Sequence, residues 1–365
     1  MFWSKDDIVE RLSKIPRTLE DISIDIFEGV PPANDLVYKT DLSKEHCIDA
    51  TSGCRNPQTN ISVEQVSIEK ELMYPYIDGS ASGEFAIPSE QYRFMLPYEI
   101  LGYNIRKEYR IIQPEELKTK FPIAYNQLME AKQNSETGKQ NLDSADCYRL
   151  EDESFLQYIK TPKIIVTSNY RLRASYDVKG KHVFSEGIGV VLGDPTLYHY
   201  ITAVLNSSIA RALPEIWNRE NMQSKNQLNS RMLKRFPIEF PKKQITETLI
   251  STICRYLIYL NRQKQTAKDY SIPGYQKLID FYRRIADLLI LDTYITNDLD
   301  PKFLEILAEN ITESGEEFEY SDDINLLIGL QEIKKNILES ASFRECRFNS
   351  EFTNILATLK NNGAW

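Results

Sequence analysis

The sequence predicts an α+β protein in which a β-rich part, reaching to about residue 243, is followed by an all-α part. Three observations carry that expectation. Before residue 114, and again between residues 163 and 192, apolar residues come in short, partly alternating runs punctuated by Gly and Pro. From Gln244 onward they recur at spacings of three and four, the helical period. At 365 residues, 42% of them hydrophobic and 27% charged, the chain can build two or three cores. The expected division is an N-terminal helix within 1–19, an α+β domain over 20–243 and a helical domain over 244–365.

Taken in order, Ile8, Val9 and Leu12 stand at helical spacing and predict a short amphipathic helix before Pro16. Ile22, Ile24 and Ile26 alternate, and Leu36, Val37 and Tyr38 follow Gly29, Pro31 and Pro32, which predicts two strands joined by a tight loop. The polar run from Glu45 to Val63 reads as loop. Short strands follow in "EKELMYPYIDGSASGEFAIP" and "YRFMLPYE", about a turn from Gly79 to Gly83. Leu117, Phe121, Tyr125, Leu128 and Met129 recur at three and four behind Pro114, predicting one helix over 115–133. A polar stretch ending near Cys147 is expected as a mobile loop. Two strand-like runs lie between Pro162 and Leu192, and a helix begins near Pro195. Beyond residue 244 helices are expected over Leu249 to Leu260, Tyr275 to Tyr294, Pro301 to Ile311, Ile324 to Leu338 and Ser350 to Leu359, with the acidic linker "ESGEEFEYSDD" among them. No fixed-period repeat is present, so a solenoid is not expected.

Composition narrows the function classes. The five cysteines (Cys47, Cys54, Cys147, Cys254, Cys346) are odd in number and form no CxxC pair, which suggests reduced thiols in a cytoplasmic protein. His46, Cys47 and Cys54 lack a fourth ligand at metal spacing, and a polar loop is expected there instead. Asp6, Asp7 and Glu10 do not suit a signal peptide. The most apolar run, Leu288 to Leu291, is bracketed by Asp287 and Asp292, far short of the roughly 20 residues of a membrane helix. No membrane partner is expected.

Catalytic motifs are weak. "NPQT" at 56–59 lacks the second proline and the aromatic of the Asn-Pro-Pro-aromatic motif of amino-group methyltransferases and reads as a turn. Asp177 and Lys179 have an Asp-x-Lys spacing that metal-dependent nucleases use, but "YDVKGKH" reads better as a hairpin turn. Gly187 and Gly189 lie in a strand and open no helix, so they are not a dinucleotide fingerprint. Three histidines and no GxSxG give little for general-base or triad chemistry.

Charge points elsewhere. Phe155 to Lys243 carries fourteen Lys and Arg against six Asp and Glu, while the whole chain carries 44 against 53. A basic island in an acidic chain suits a polyanionic partner, because phosphate attraction acts through the local surface. Arg171, Arg173, Lys179 and Lys181 flank the predicted hairpin. Asn206, Arg211, Arg219, Asn221, Lys225, Asn226 and Arg231 lie in a segment rich in the amides and guanidinium groups that pair with base edges and phosphates. A polar, solvated surface that binds nothing is the competing reading.

Several blocks resemble a known family. "ELKTKFPIAYNQLMEAK", "CYRLEDESFLQYIKTPKIIVTSNYRLRASYD", "YITAVLNSSIAR" and "LNSRMLKRFPI" are similar to successive blocks of the TaqI-like C-terminal specificity domain, the target-recognition part of adenine-N6 DNA methyltransferases and combined restriction-modification enzymes. "YQKLIDFYRRIADLLILDTYI" and the 324–338 helix resemble the helical tail of the longer members. Leu205-Asn206-Ser207-Ser208, Phe236-Pro237-Ile238 and Pro162-Lys163-Ile164 are the most specific blocks. The family's S-adenosylmethionine loop and Asn-Pro-Pro-aromatic motif have no counterpart here, and Pro31 and Pro32 stand where the family has Thr-Gly. The resemblance therefore implies a chain that does not methylate by itself. It would bind double-stranded DNA for a catalytic methyltransferase domain or subunit, which would hold the S-adenosylmethionine. The residues expected to face DNA are Lys163, Arg171, Arg173, Lys179, Lys181, Asn206, Arg211, Arg219, Asn221, Lys225, Asn226 and Arg231. Two alternatives stay open: a degenerate specificity domain that binds proteins through its acidic helical tail, and a metal-dependent nuclease centred on Asp177 and Lys179.

Overall fold

A computed structural model describes residues 10–30, 39–41, 69–78, 83–90, 92–133, 144–167, 172–211, 228–268, 270–296, 299–312, 318 and 321–340. In chain order the strands are β1 (Ser23–Glu28), β2 (Lys39–Asp41), β3 (Met73–Asp78), β4 (Tyr92–Met95), β5 (Tyr98–Leu101), β6 (Glu108–Ile111), β7 (Lys163–Thr167), β8 (Ala174–Asp177), β9 (Val183–Ser185) and β10 (Gly187–Leu192). The helices are α1 (Leu19–Ile22), α2 (Pro114–Lys120), α3 (Pro122–Gln133), α4 (Tyr198–Leu205), α5 (Ser230–Lys234), α6 (Gln244–Thr266), α7 (Ile272–Leu291), α8 (Pro301–Asn310) and α9 (Ile324–Glu339). Strands precede the long helices, so the fold is α+β as expected.

One antiparallel sheet, ordered β1-β10-β7-β8, is the wall on which the rest is hung. Successive residues of a strand face opposite sides, and here both sides are buried. Ile26, Ile164, Val166, Ile188, Val190 and Leu192 face a core shared with α4 and with all the long C-terminal helices. Phe27, Ile165 and Val191 face a second core, built from β3, β4 and the segment from Tyr98 to Ile159. That is why "KIIVT" and "GIGVVL" read as near-continuous apolar runs. Gly189, opposite Phe27 in the register, has no side chain because a Cβ there would sit 2.5 Å from the Phe27 ring and 2.9 Å from that of Phe184.

A second sheet, β2-β4-β3-β9, joins the first at a corner. β9 runs parallel to β3, and Glu186, at φ 47°, turns the chain from β9 into β10 and so from one sheet into the other. Gly29 lies against this corner, where a Cβ would meet the Phe184 carbonyl oxygen at 2.3 Å.

Several expected connections differ. The expected strand at 22–26 is present as β1 and pairs with β10, whereas the strand expected at Leu36 to Tyr38 and most of the loop before it lie outside the described residues; β2, just beyond them, pairs with β4 in the other sheet. "YDVKGKH" is a turn, with Gly180 N–H donating to Asp177 O at 3.0 Å, but its strands β8 and β9 leave into different sheets. The helix expected over 115–133 is broken into α2 and α3. Pro122 has no N–H and disfavours a helical Phe121, which adopts φ −135°, ψ 61°. Pro97 likewise separates β4 from β5. The helices expected beyond 244 stand at α6 to α9. The expected boundary at residue 243 is not a break in packing, because the first core runs across it from Leu12 to Ile337. The loops expected at 45–63 and 79–82, residues 134–143 of the loop expected behind α3, and the helix at 350–359 lie outside the described residues, while the end of that last loop forms a short 3-10 helix, Ala145–Tyr148.

A shared wall couples the two cores. Truncating Ile164 or Ile165 to Ala, on opposite faces of β7, is expected to cost about 3 kcal/mol each. Either change should also speed hydrogen exchange in both α6 and β3–β4. Protection lost on one side alone would show two independent units.

Candidate nucleic-acid interface

The functional candidates gather around β8, whose two ends differ. At its C-terminal end Asp177 stands directly across from Lys163 in the antiparallel register, and both are 2% exposed. Lys163 Nζ lies 3.1 Å from Asp177 Oδ2 and donates to Gly180 O at 3.0 Å. The carboxylate also accepts the Lys181 and His182 backbone N–H groups at 3.2 and 2.9 Å and contacts His182 Nδ1 at 3.0 Å. Burial alone would push the Asp177 carboxyl up. The Lys163 ammonium and the His182 contacts outweigh it and hold the group well below the usual carboxylate range. Gly180, at φ +62°, packs where a Cβ would lie 2.3 Å from the Thr161 backbone.

This knot corrects two expectations. Lys163 is a buried ion-pair partner that does not face DNA. Asp177 has its oxygens taken by four contacts from three residues, Lys163, Lys181 and His182, so it offers no open position for a nuclease metal, and no group of three or more His, Cys, Asp or Glu side chains suited to a metal occurs among the described residues. The knot's useful product is the turn, which holds Lys179 and Lys181 exposed. They border a cleft of about 330 Å³ closed on its other sides by residues 87–90 and by the C-terminal end of α6, where Arg262 adds a third cation. Glu90 and Asp322 also line the cleft, and Arg262 is 3.5 Å from Asp322, so its charge is mixed.

At the other end of β8, Asn206 is 2% exposed and acts as a strand partner: Ala174 N–H donates to its Oδ1 at 3.1 Å, and its Nδ2 donates to Ala174 O at 2.7 Å. It too is structural and not DNA-facing. Beside it, Ser208 donates from both N and Oγ to Asp287 Oδ1 on α7, at 2.8 and 3.0 Å. Among the described residues no cation lies within bonding distance of Asp287, although Arg283 acts on it through space; burial pushes its carboxyl up to about 6. The Leu205-Asn206-Ser207-Ser208 block therefore ties β8 to α4 and α7. Phe236-Pro237-Ile238 does similar work: Phe236 O accepts from Leu19 N–H, Ile238 N–H donates to Arg17 O, and Pro237 O accepts the Tyr294 hydroxyl.

Of the remaining expected residues, Arg173 is 40% exposed at the start of β8, and Arg211 is held 3.1 Å from Glu84. Arg231 is exposed on α5, whose Ser230 N–H donates to Glu28 at the end of β1. β1 and β8 are opposite edges of the sheet, three strand spacings or about 14 Å apart; the register puts Glu28 level with Ala174, so the α5 group lies across the sheet from the Arg173 end of β8, whereas Lys179 and Lys181 lie beyond its opposite end. Arg171, Arg219, Asn221, Lys225 and Asn226 lie outside the described residues. Sequence reading missed Glu84, Arg262, Arg283 and Asp287. The signal for the last was present, an Asp set into the apolar run of α7 four residues after Arg283.

No family model matches the chain, and no curated protein matches it. A solved structure of the Type IIL restriction-modification enzyme MmeI in complex with DNA aligns at a TM-score of 0.39 and 12% identity, over 88% of this chain and 37% of that one. The chain thus spans little more than a third of that protein's length. At this score the likeness carries no weight on what the present chain binds. No helix among the described residues is long and apolar enough to cross a membrane.

The two buried acids should respond oppositely to pH. Asp177, held down, stabilises the fold above about pH 4, and that contribution is lost as pH falls below it. Asp287, held up, binds its proton more tightly folded than unfolded, so stability falls as pH rises from about 4 to about 6. Asp287→Asn keeps the acceptor for Ser208 and removes the charge. It is expected to exceed wild type in unfolding free energy by up to about 3 kcal/mol at pH 7, with the gap closing towards pH 4. Urea melts across pH check this, and a variant no more stable than wild type at pH 7 would refute it.

Proposed function

We propose that the chain is the DNA sequence-recognition portion of an adenine-specific DNA methyltransferase or restriction-modification enzyme. It would work with a catalytic methyltransferase domain or subunit, and S-adenosylmethionine would belong to that partner. The observation that carries the reading is the basic stretch from Phe155 to Lys243, an excess of eight cations in a chain of net charge −9. Lys179, Lys181 and Arg231 from that stretch reach the surface, and Arg173 is partly exposed. The block resemblance supports the same reading through the scaffold, since its most specific residues are nearly all buried and tie elements together. Base reading would then fall to the amide- and Arg-rich run from Arg219 to Arg231. The nuclease alternative loses its centre because Asp177 is internally bonded. A protein-interaction module is the remaining competitor, and salt separates the two.

If Arg173, Lys179, Lys181 and Arg231 each neutralise one phosphate, affinity for pooled duplexes should fall about a hundredfold between 50 and 200 mM salt. Lys179→Ala with Lys181→Ala should flatten the logarithmic slope by about 2. Fluorescence anisotropy reads both. Absent binding, or a slope near zero, would leave the interaction-module reading in its place.

A further inference from the structure

Glu84 draws three arginines from three distant parts of the chain. Its Oε1 lies 3.1 Å from Arg211 Nη2 and 3.9 Å from Arg173 Nε, and its Oε2 lies 3.0 Å from Arg283 Nη2. Arg173 immediately precedes β8, Arg211 lies in the helical turn that begins at Ser208, and Arg283 belongs to α7. Each guanidinium carries five N–H donors, whereas one carboxylate offers about four lone-pair positions. The shortage is visible in the geometry: Arg283 Nη2 is buried and close to Glu84 but is not aligned for a hydrogen bond. Asp287 acts on Arg283 only through space, its Oδ1 being occupied by Ser208. Among the described residues no second carboxylate pairs with any of the three arginines. Holding strands and a helix together would need one Arg on Glu84; three converge there.

We propose that Arg173, Arg211 and Arg283 form a phosphate-binding site, and that Glu84 is an internal anion occupying it until a phosphate group displaces it. A phosphate presents more acceptor oxygens than a carboxylate and suits the guanidinium fork. Arg173, at 40% exposure, and Glu84, at 26%, give the site its opening to solvent. The tethered carboxylate competes at high effective concentration, which keeps the site closed to dilute free phosphate in the wild-type chain. Only the assignment of the phosphate to DNA rests on the function proposed above.

The test uses the full chain as wild type, Glu84→Gln and the double variant Glu84→Gln/Arg211→Gln. Inorganic phosphate, against chloride at matched ionic strength, should raise the melting temperature of Glu84→Gln by several degrees and leave wild type and the double variant unchanged. Glu84→Gln should also bind pooled duplexes about tenfold more tightly than wild type. Glu84→Asp keeps the charge but is too short to span Arg211 and Arg283 together, so it should gain in the same direction by less; it keeps the test alive if Glu84→Gln does not fold. If neither variant gains phosphate-specific stabilisation, the site is overturned, whether or not DNA binds. If phosphate stabilises Glu84→Gln while neither form binds DNA, the site stands with a free phosphate ligand and the DNA reading fails.

Discussion

The sheet β1-β10-β7-β8 is buried on both faces, and nearly everything else in the molecule follows from that constraint. With the strand period of two, residues such as Ile164 and Ile165 serve different cores although they are neighbours in sequence. A polar residue in these strands has no solvent to turn to, so it needs an internal partner or must sit at a strand end. Both solutions occur: Lys163 and Asp177 neutralise each other across the β7–β8 ladder, and Asn206 joins Phe85 in pairing the outer edge of β8 at Ala174.

Those polar knots explain what the family-like blocks specify. Lys163 of Pro162-Lys163-Ile164, Asn206 and Ser208 of Leu205-Asn206-Ser207-Ser208, and the backbone of Phe236-Pro237-Ile238 each fasten one layer to another. Removing any one leaves a buried group without a partner, a loss of about 1 to 3 kcal/mol and more for a charge. Residues under that constraint hold a scaffold in place whatever it recognises. Asp177 and Asp287 show how narrowly the balance is struck: the same side chain, buried in both places, is favoured as an anion beside Lys163 and disfavoured where, among the described residues, Ser208 alone bonds to it.

Much of the fold was legible in the sequence, and the illegible part has a physical reason. Helices α6 to α9 show in the spacing of residues such as Leu249, Ile253, Tyr256 and Leu260, because a helix satisfies its own backbone and needs only local information. Strand existence was readable for the same reason, but pairing was not. Nothing local in "YDVKGKH" states that β8 joins β7 while β9 crosses to lie parallel to β3. The burial of Lys163 was hidden likewise, since a lysine opening an apolar strand looks like a surface cation until Asp177 is placed opposite it. In the candidate site, exposed Lys179 and Lys181 were found by charge alone. Glu84 was missed because its three arginines come from residues 173, 211 and 283, a convergence that no spacing rule encodes.

A sheet with both faces in use can present functional groups only at its strand ends, its edges and the elements laid over them. The charges are distributed accordingly. Lys179 and Lys181 follow the end of β8, Arg173 stands at its start, and Arg231 sits on α5 beside β1 at the far edge. Any extended polyanion touching both edges would have to cross at least the width of the sheet, about 14 Å. A compact anion would be served by one end of β8 alone. The register places Arg173 level with Glu28, and Lys179 and Lys181 beyond the opposite end of β8, so the spacing of these cations is set by the length of the strands as well as by the hydrogen-bonded width of the sheet.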